Sequence, residues 1–269
     1  MKAKLVALLA VAMVVALSLC GCGQQAENNE PDYQDNAFLA DLGKGLEARW
    51  DLADKYEQEH PGEANTAESM KSFVQAELDK VEGYANAQFE DSKLREYAVS
   101  YINILNDCLE EADSYNVNNV DALMRWSSLY DERTMLLKDI VDNYEVNISE
   151  KHQSNLNDLL SNGKAAQKTE EVKSSLQAVA DTAQFTFEPD EFGNVHSGTA
   201  SVTNNTGSDF DTVTFDVQMY DENGVRTEST VASVNNWGNG ETVVLTAYLT
   251  SGVVPASVKV VPNYYEVAE

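Results

Sequence analysis

The sequence predicts an α+β protein in which an antiparallel helical bundle is followed by a small antiparallel β-sandwich. Three observations predict this fold class. Apolar residues recur every three to four positions over residues 35–183, which is the period of an amphipathic helix. From residue 184 to residue 269 the apolar period falls to two, which is typical of half-buried strands. The chain of 269 residues is also long enough for two domains with separate cores.

The first 21 residues have the pattern of a signal peptide. Lys2 and Lys4 form a positive start, and an almost entirely apolar run over residues 5–17 follows them. That run is too short to cross a bilayer as a mature helix, which needs about 20 apolar residues. A positive start, an apolar stretch and a small residue at the end are the three parts of a secretory signal. Residues 1–21 are therefore expected to be removed.

The segment Leu19-Cys20-Gly21-Cys22 resembles the lipobox of bacterial lipoproteins, with Leu19 three positions before Cys22 and the small Gly21 directly before it. The resemblance implies that Cys22 carries a thioether-linked diacylglycerol and a palmitate-type chain. Each buried methylene contributes about 0.8 kcal/mol, so two or three chains hold a protein on a membrane. Cys20 is the alternative lipidation site, and an ordinary cleaved signal or a plain transmembrane anchor are the alternatives to lipidation.

Residues 22–34 are polar and show no apolar period, so they suit a tether between the membrane and the fold. The expected location is the cell membrane, with the protein lipid-anchored and facing outward. The lipid bilayer is then the first expected partner, reached through the acylated Cys22.

The bundle begins with two predicted helices. The first spans about residues 36–59 and is stopped by Pro61-Gly62. The second follows Asn65, which is a good N-cap because Glu68 stands three residues later as in a capping box. Its apolar stripe continues to residue 85.

Three further helices complete the predicted bundle. One starts near Asp91, and the next follows the polar break at residues 116–119, which caps it. A last helical stretch covers about residues 149–182, with an interruption or kink expected at Asn162-Gly163. Short polar connections favour antiparallel neighbours, which predicts an up-and-down bundle.

The C-terminal part predicts six or seven short strands. The clearest strand alternates apolar and polar residues, with Val213, Phe215, Val217 and Met219 on one side. Asn223-Gly224 directly after it is a strong hairpin signal. A final strand is expected over residues 257–267. Short strands with turns every 8–12 residues are typical of an antiparallel sandwich.

Three segments of the C-terminal part carry a family resemblance: Gly198-x-Ala200-x-Val202-x-Asn204-x-Thr206, Val217-Gln218-Met219-Tyr220-Asp221 and Asn239-Gly240-Glu241. Through them, residues 184–267 resemble the FxLYD domain, a β-sandwich module of bacterial surface lipoproteins. Val217, Met219 and Asn239 stand where the family has Phe, Leu and Pro. The resemblance implies an immunoglobulin-like fold and an extracytoplasmic adaptor or binding role without catalysis. It carries over no functional residue.

The charge of the chain excludes two classes of partner. The net charge is −27 at pH 7. Binding to nucleic acid, or lying flat on anionic lipid, requires cationic faces. A solvated extracellular surface accounts for the acidity without any specific function. The alternative is a functional role for the acidic residues, either contact with a basic partner or weak binding of divalent cations.

The number and positions of the cysteines are consistent with the predicted location outside the cell membrane. Cys20 leaves with the signal and Cys22 is acylated, so Cys108 is the one thiol that remains of the three cysteines and no intramolecular disulfide forms. Cys108 falls on an apolar helical stripe, which predicts a buried, inert thiol. A reactive or intermolecular thiol is the alternative.

No residue pattern predicts catalysis, a metal site or a cofactor. The three histidines are scattered, and Glu57-x-x-His60 has the spacing of a metal motif only once, at a helix end. The sequence contains no Gly-x-Ser-x-Gly elbow and no Gly-x-x-x-x-Gly-Lys phosphate loop. The protein is therefore expected not to be an enzyme.

The tryptophans are the remaining candidates for contact with a partner. Trp50 and Trp126 fall on helical stripes, which predicts core packing. Trp237 lies in a Gly/Asn-rich loop. It is a candidate partner contact if exposed, and otherwise a plug over the end of the β-sandwich.

The function predicted from these observations is that of a membrane-anchored, non-enzymatic binding or scaffold lipoprotein with an unknown protein or polymer partner at the cell surface. The first alternative is a solute- or ion-binding accessory of a transporter, which predicts polar groups converging in a pocket between bundle helices. A hydrolase of envelope polymers is the least favoured alternative.

Overall fold

The computed structural model describes residues 32–268, so Cys22, the predicted signal peptide and most of the predicted tether lie outside the described residues. Five α-helices come first in this part of the chain: α1 (Asp35–Glu59), α2 (Ala67–Val81), α3 (Ser92–Ala112), α4 (Val120–Asn143) and α5 (Gln153–Asp181). Two short 3-10 helices lie at Glu82–Asn86 and Glu150–His152. Within residues 32–268, none of the helices combines the length and the apolar character that crossing a membrane requires.

The start of α2 is capped one residue later than predicted. The Thr66 side chain accepts a hydrogen bond from the Ser69 N–H, and the Ser69 hydroxyl accepts one from the Thr66 N–H, which is a complete capping box. The predicted cap at Asn65 with Glu68 is therefore wrong. The hydroxyl of Ser69 fills the role that a Glu side chain has in the standard motif.

The predicted start of α3 near Asp91 and the predicted cap of α4 are confirmed. The Asp91 carboxylate accepts hydrogen bonds from the N–H groups of Lys93 and Leu94. The Asn119 side chain accepts one from the Ala122 N–H. Each cap satisfies backbone donors that a helix start leaves unpaired, which is why these residue types mark the starts.

Helices α1 to α4 form the predicted up-and-down arrangement. Their order is shown by contacts whose residue numbers rise on one helix and fall on the next: Asp41 with Tyr84, Arg49 with Glu77, Tyr56 with Phe73, Lys71 with Asp113, Glu77 with Tyr101, and Glu111 with Arg125. They enclose an apolar core whose fully buried members include Phe38, Leu42, Leu46, Val74, Leu105 and Leu137. Trp50 and Trp126 pack half-buried against this core.

Helix α5 packs against the middle of α4, through Tyr130 with Asn162, Thr134 with Gly163, and Asp139 with Gln167. The connection over residues 144–152 returns along α1. There the Ser149 N–H donates to Glu47 and Lys151 pairs with Asp51. This return lets α5 start again beside the middle of α4.

Gly163 lies inside the continuous helix α5, so the predicted interruption is wrong. A Cβ atom at this position would lie 2.4 Å from the Thr134 carbonyl oxygen on α4. Glycine is therefore required here for close contact between two helix backbones.

Replacing Gly163 by alanine should destabilise the protein by about 2 kcal/mol. The added methyl group lies against a backbone oxygen that cannot rotate away, so its cost is at the upper end of the range for overpacking, about 3 kcal/mol. Subtracting the roughly 1 kcal/mol that alanine gains in a helix leaves about 2 kcal/mol. Chemical denaturation followed by circular dichroism measures the change. Gly83→Ala is the matched control, because a Cβ there meets no atom within 4 Å. Equal stability of the two variants would contradict the packing argument.

Six strands follow the helices: β1 (Thr186–Phe187), β2 (Ser197–Thr203), β3 (Phe210–Tyr220), β4 (Arg226–Trp237), β5 (Thr242–Tyr248) and β6 (Ser257–Val267). They form two antiparallel three-stranded sheets with the orders β1-β2-β5 and β4-β3-β6. Six strands agree with the six or seven expected. The structure is thus mixed, with five helices followed by two small sheets.

The alternation predicted for the clearest strand is confirmed in β3. Val213, Phe215, Val217 and Met219 are all buried, and the residues between them are partly exposed. The hairpin at Asn223-Gly224 also forms, with Gly224 at φ +75°. That left-handed conformation costs glycine little, which explains the Asn-Gly signal.

The apolar core of the sheets extends into α5. Residues from both sheets share one cluster, and the C-terminal part of α5 contributes Val172, Leu176, Val179 and Ala180 to it. Two hydrogen bonds add to this contact, from Gln177 to the Val260 carbonyl and from the Tyr265 hydroxyl to the Thr169 carbonyl. The predicted boundary at residues 183/184 lies just after the C-terminal end of α5. The N-terminal part of α5 packs in the core of the helices, and its C-terminal part packs in the core of the sheets.

Candidate functional site

Trp237, the candidate partner contact, is fully buried. Its indole N–H donates to the Glu241 carbonyl over 3.1 Å, and its ring packs edge-on against Phe215. Of the two interpretations that the sequence left open, exposed contact and plug, the plug at the end of the sheets describes its position. The Gly/Asn-rich loop alone did not show this, because burial depends on Phe215 and on strands distant in sequence.

Two of the three segments that carry the FxLYD resemblance, those at Asn204 and at Gly240, meet around the Asn204 side chain. This side chain is fully buried, and its amide donates to the carbonyls of Ser208 (2.9 Å) and Trp237 (3.1 Å). Its oxygen accepts hydrogen bonds from the N–H and hydroxyl of Thr206. The Asn204 backbone also bonds Gly240 and Glu241. These residues therefore hold two turns together, which is a structural role.

Cys108 is buried, as predicted. Burial raises the pKa of its thiol to about 11, because desolvation disfavours the thiolate. A thiol that stays protonated near neutral pH is a poor nucleophile, so the inert role is favoured.

Glu57 and His60 do not point to a common centre. Glu57 accepts a hydrogen bond from the Gly62 N–H, whereas His60 stacks on Tyr56 and faces Glu63 at 3.5 Å. Their contacts are those of a helix terminus.

A second group of acidic and histidine side chains comes from distant parts of the chain. Ligand atoms of Asp51, Asp54 and His152 lie within 4.8 Å of one another. Asp51 already accepts hydrogen bonds from Lys151 and from Nε2 of His152 (3.0 Å). These two bonds, that of Lys151 first, lower the pKa of Asp51. Lys151 and His152 thus both bond Asp51, so the group fastens residues 144–152 to α1.

A buried ionic network connects the first four helices. Glu77 of α2 is fully buried, and Arg133 of α4 is 2% exposed. Arg133 Nη2 donates to both Glu77 carboxylate oxygens, over 2.7 and 2.8 Å, and its Nε donates over 3.2 Å. Tyr101 of α3 donates its hydroxyl to the same carboxylate, and Arg49 of α1 donates Nη1 over 3.0 Å. Each of the four helices thus contributes one residue.

The network carries one excess positive charge, because two guanidinium groups share one carboxylate. Burial, followed by the charge of Arg133, lowers the pKa of Arg49, and Glu77 acts in the opposite direction. A guanidinium titrates so far above neutral pH that both groups stay charged. A buried cation without a full complement of counter-charge is costly.

The two arginines line a cleft between α1, α4 and α5. The cleft has a volume of about 260 Å³, and its other lining residues are Trp50, Tyr130, Asn155, Asp158, Leu159 and Asn162. Arg133 Nη1 and the Nε and Nη2 groups of Arg49 have no hydrogen-bond partner among residues 32–268. Every buried side-chain nitrogen or oxygen in that part of the chain does have one. The unpaired donors therefore face solvent through the cleft.

The sequence carries a signal for this network in the positions of Glu77 and Arg133. Glu77 lies on the apolar stripe of α2, three residues after Val74 and four before Val81. Arg133 likewise precedes the buried Leu137 by four residues on α4. A charged residue at an apolar-stripe position indicates a buried charge, although only the fold shows which partners meet it.

In comparisons with known proteins, the chain matches no protein-family model and no curated sequence.

Proposed function

We propose that this protein is an outward-facing bacterial lipoprotein, anchored through acyl chains on Cys22, that acts by binding a partner and not by catalysis. The lipobox and the polar residues after it support the anchor. The observation that carries the binding role is α5, a continuous 29-residue helix that packs in both apolar cores. A shared helix holds the helical and β regions in a fixed relation, as a scaffold requires.

The β region fits an immunoglobulin-like sandwich of the FxLYD type as part of this proposal. Two antiparallel sheets share a core around Phe215 and Trp237. The turns at Asn204 and Gly240 bond each other at one end of that core. Both features are expected of a small sandwich that serves as an adaptor module.

Cys22→Ser should abolish incorporation of labelled palmitate and release the protein from the membrane fraction. The diacylglyceryl group bonds to the thiol sulfur of cysteine in place of its hydrogen, so serine cannot form the thioether. Metabolic labelling in a bacterial host, followed by fractionation, measures both effects. Cys20→Ser is the matched control and should remain labelled. Label that persists in Cys22→Ser but disappears in Cys20→Ser would move the anchor to Cys20, and an unlabelled wild type would refute lipidation.

The net charge of −27 favours a basic protein or polymer as the partner. Cross-linking on intact cells that display the full chain should enrich one partner in a saturable and salt-sensitive manner. Cells that display an unrelated acidic lipoprotein serve as the control. Equal enrichment in both would count against a specific binding role.

A solute-binding accessory of a transporter is a second candidate function, and the cleft at Arg49 and Arg133 is the observation that favours it. Polar groups from α1, α4 and α5 converge there, as this alternative predicts. Loss of the protein should then slow the uptake of a solute by intact cells. Unchanged uptake across a panel of small solutes would remove this candidate.

A further inference from the structure

We propose that the cleft between α1, α4 and α5 binds a small zwitterion that carries a carboxylate and an ammonium group, the chemistry of a free amino acid, with the carboxylate on Arg49 and Arg133. This inference rests on the second candidate function and specifies its ligand class. It concerns a site 27 residues or more beyond the predicted lipidation residue, so it does not depend on the anchor.

The carboxylate position follows from the unpaired donors. Arg133 is 2% exposed, and yet its Nη1 group is left without a partner among the described residues. Arg49 is 12% exposed and uses only Nη1 in the network. Guanidinium groups with free N–H donors bind carboxylates through short, charge-assisted hydrogen bonds. Both arginines line the same cleft, so one anion can reach donors of both.

The donors are held in place before any ligand arrives. Glu77 fixes Arg133 through both carboxylate oxygens and fixes Arg49 through one of them. A preorganised site loses less conformational entropy on binding. A bound carboxylate also brings the charges of Glu77, Arg49, Arg133 and ligand to zero, which removes the cost of an excess buried cation.

The ammonium position follows from Asp158. Its side chain is exposed at the cleft and forms no ion pair within residues 32–268. A carboxylate there repels a phosphate or a dicarboxylate but attracts a ligand that also carries a positive group. Asp158 therefore favours a zwitterion over a simple anion.

The remaining lining residues suit a ligand of this size. Asn162 donates its amide to the Tyr130 hydroxyl, which leaves the amide oxygen available to a ligand ammonium group. Trp50 and Leu159 supply apolar surface for a small side chain. A volume of about 260 Å³ lies just under the range of drug-sized pockets, which fits a small solute.

Titration calorimetry of the full-length chain in mild detergent tests the proposal. The probes are a panel of free amino acids, with acetate, methylammonium and inorganic phosphate as partial ligands. At least one amino acid should bind with a Kd of about 1 mM or tighter, and about tenfold tighter than acetate. Arg49→Gln should weaken that binding by about tenfold or more. Arg125→Gln is the matched control, because Arg125 pairs with Glu111 on the surface, and it should bind as wild type does.

Asp158→Asn keeps the test decisive if Arg49→Gln fails to fold. Asp158 is exposed and its replacement leaves Glu77 paired, so this variant should fold and lose the preference for amino acids over acetate. Three results would overturn the proposal: no binding of any amino acid at about 50 mM, binding unaffected by Asp158→Asn, or phosphate as the tightest ligand. Binding in the cleft without any effect on uptake would overturn the transporter role alone.

Discussion

Replacing Glu77 by glutamine is expected to destabilise the protein by about 4 kcal/mol. Removing one partner of a buried ion pair costs about 3–5 kcal/mol, because the other charge is left without compensation in a desolvated site. Here two guanidinium groups lose their shared carboxylate, and the Tyr101 hydroxyl loses a charged acceptor. Denaturant unfolding followed by circular dichroism measures the change in the free energy of unfolding.

Glu82→Gln is the matched control for this experiment. Glu82 directly follows α2 and is exposed, so its replacement should change stability by no more than about 0.5 kcal/mol. Replacing Glu77, Arg49 and Arg133 together by leucine, methionine and methionine should recover at least half of the loss, because an apolar set of similar size carries no unpaired charge. Glu77→Gln at wild-type stability would show that the network does not hold the bundle.

Replacing Asn204 by alanine is expected to destabilise the β region by about 3 kcal/mol. The variant removes the amide from the Ser208 and Trp237 carbonyls and removes the acceptor of two Thr206 donors. Buried polar groups without partners cost about 1–3 kcal/mol each, and solvent reaches some of these groups in the variant. Denaturant unfolding with tryptophan fluorescence as the probe measures the change, because Trp237 packs beside this corner.

Asn205→Ala controls for the change of residue type. Asn205 is the exposed neighbour of Asn204, and its replacement should be nearly neutral. Equal losses in both variants would indicate an effect on the loop in general. No loss in Asn204→Ala would show that the two turns are held together by the backbone bonds to Gly240 and Glu241 alone.

Local features were predictable because their causes lie within a few residues. The caps at Asp91 and Asn119 follow from side chains that reach unpaired N–H groups two or three positions away. The alternation in β3 follows from the pleat, and the turn at Gly224 follows from the freedom of glycine at positive φ. The cap of α2 was displaced by one residue because Thr66 and Ser69 can form the same motif as Asn65 and Glu68.

Features that join distant residues were not predictable in this way. Gly163 appeared as a helix breaker, although its function is to admit the Thr134 carbonyl of another helix. Trp237 appeared as a loop residue, although Phe215 and the Glu241 carbonyl enclose it. In both cases the decisive neighbour belongs to another element, and its position depends on how the chain is routed.

The sequence by itself determined the types of element and the change from helix to strand near residue 184. Only the tertiary structure decided that α5 belongs to both cores. It alone brought Arg49, Glu77 and Arg133 together at one cleft. The physical reason is that hydrophobic burial sets a period along each segment, whereas the pairing of buried charges depends on which segments pack together.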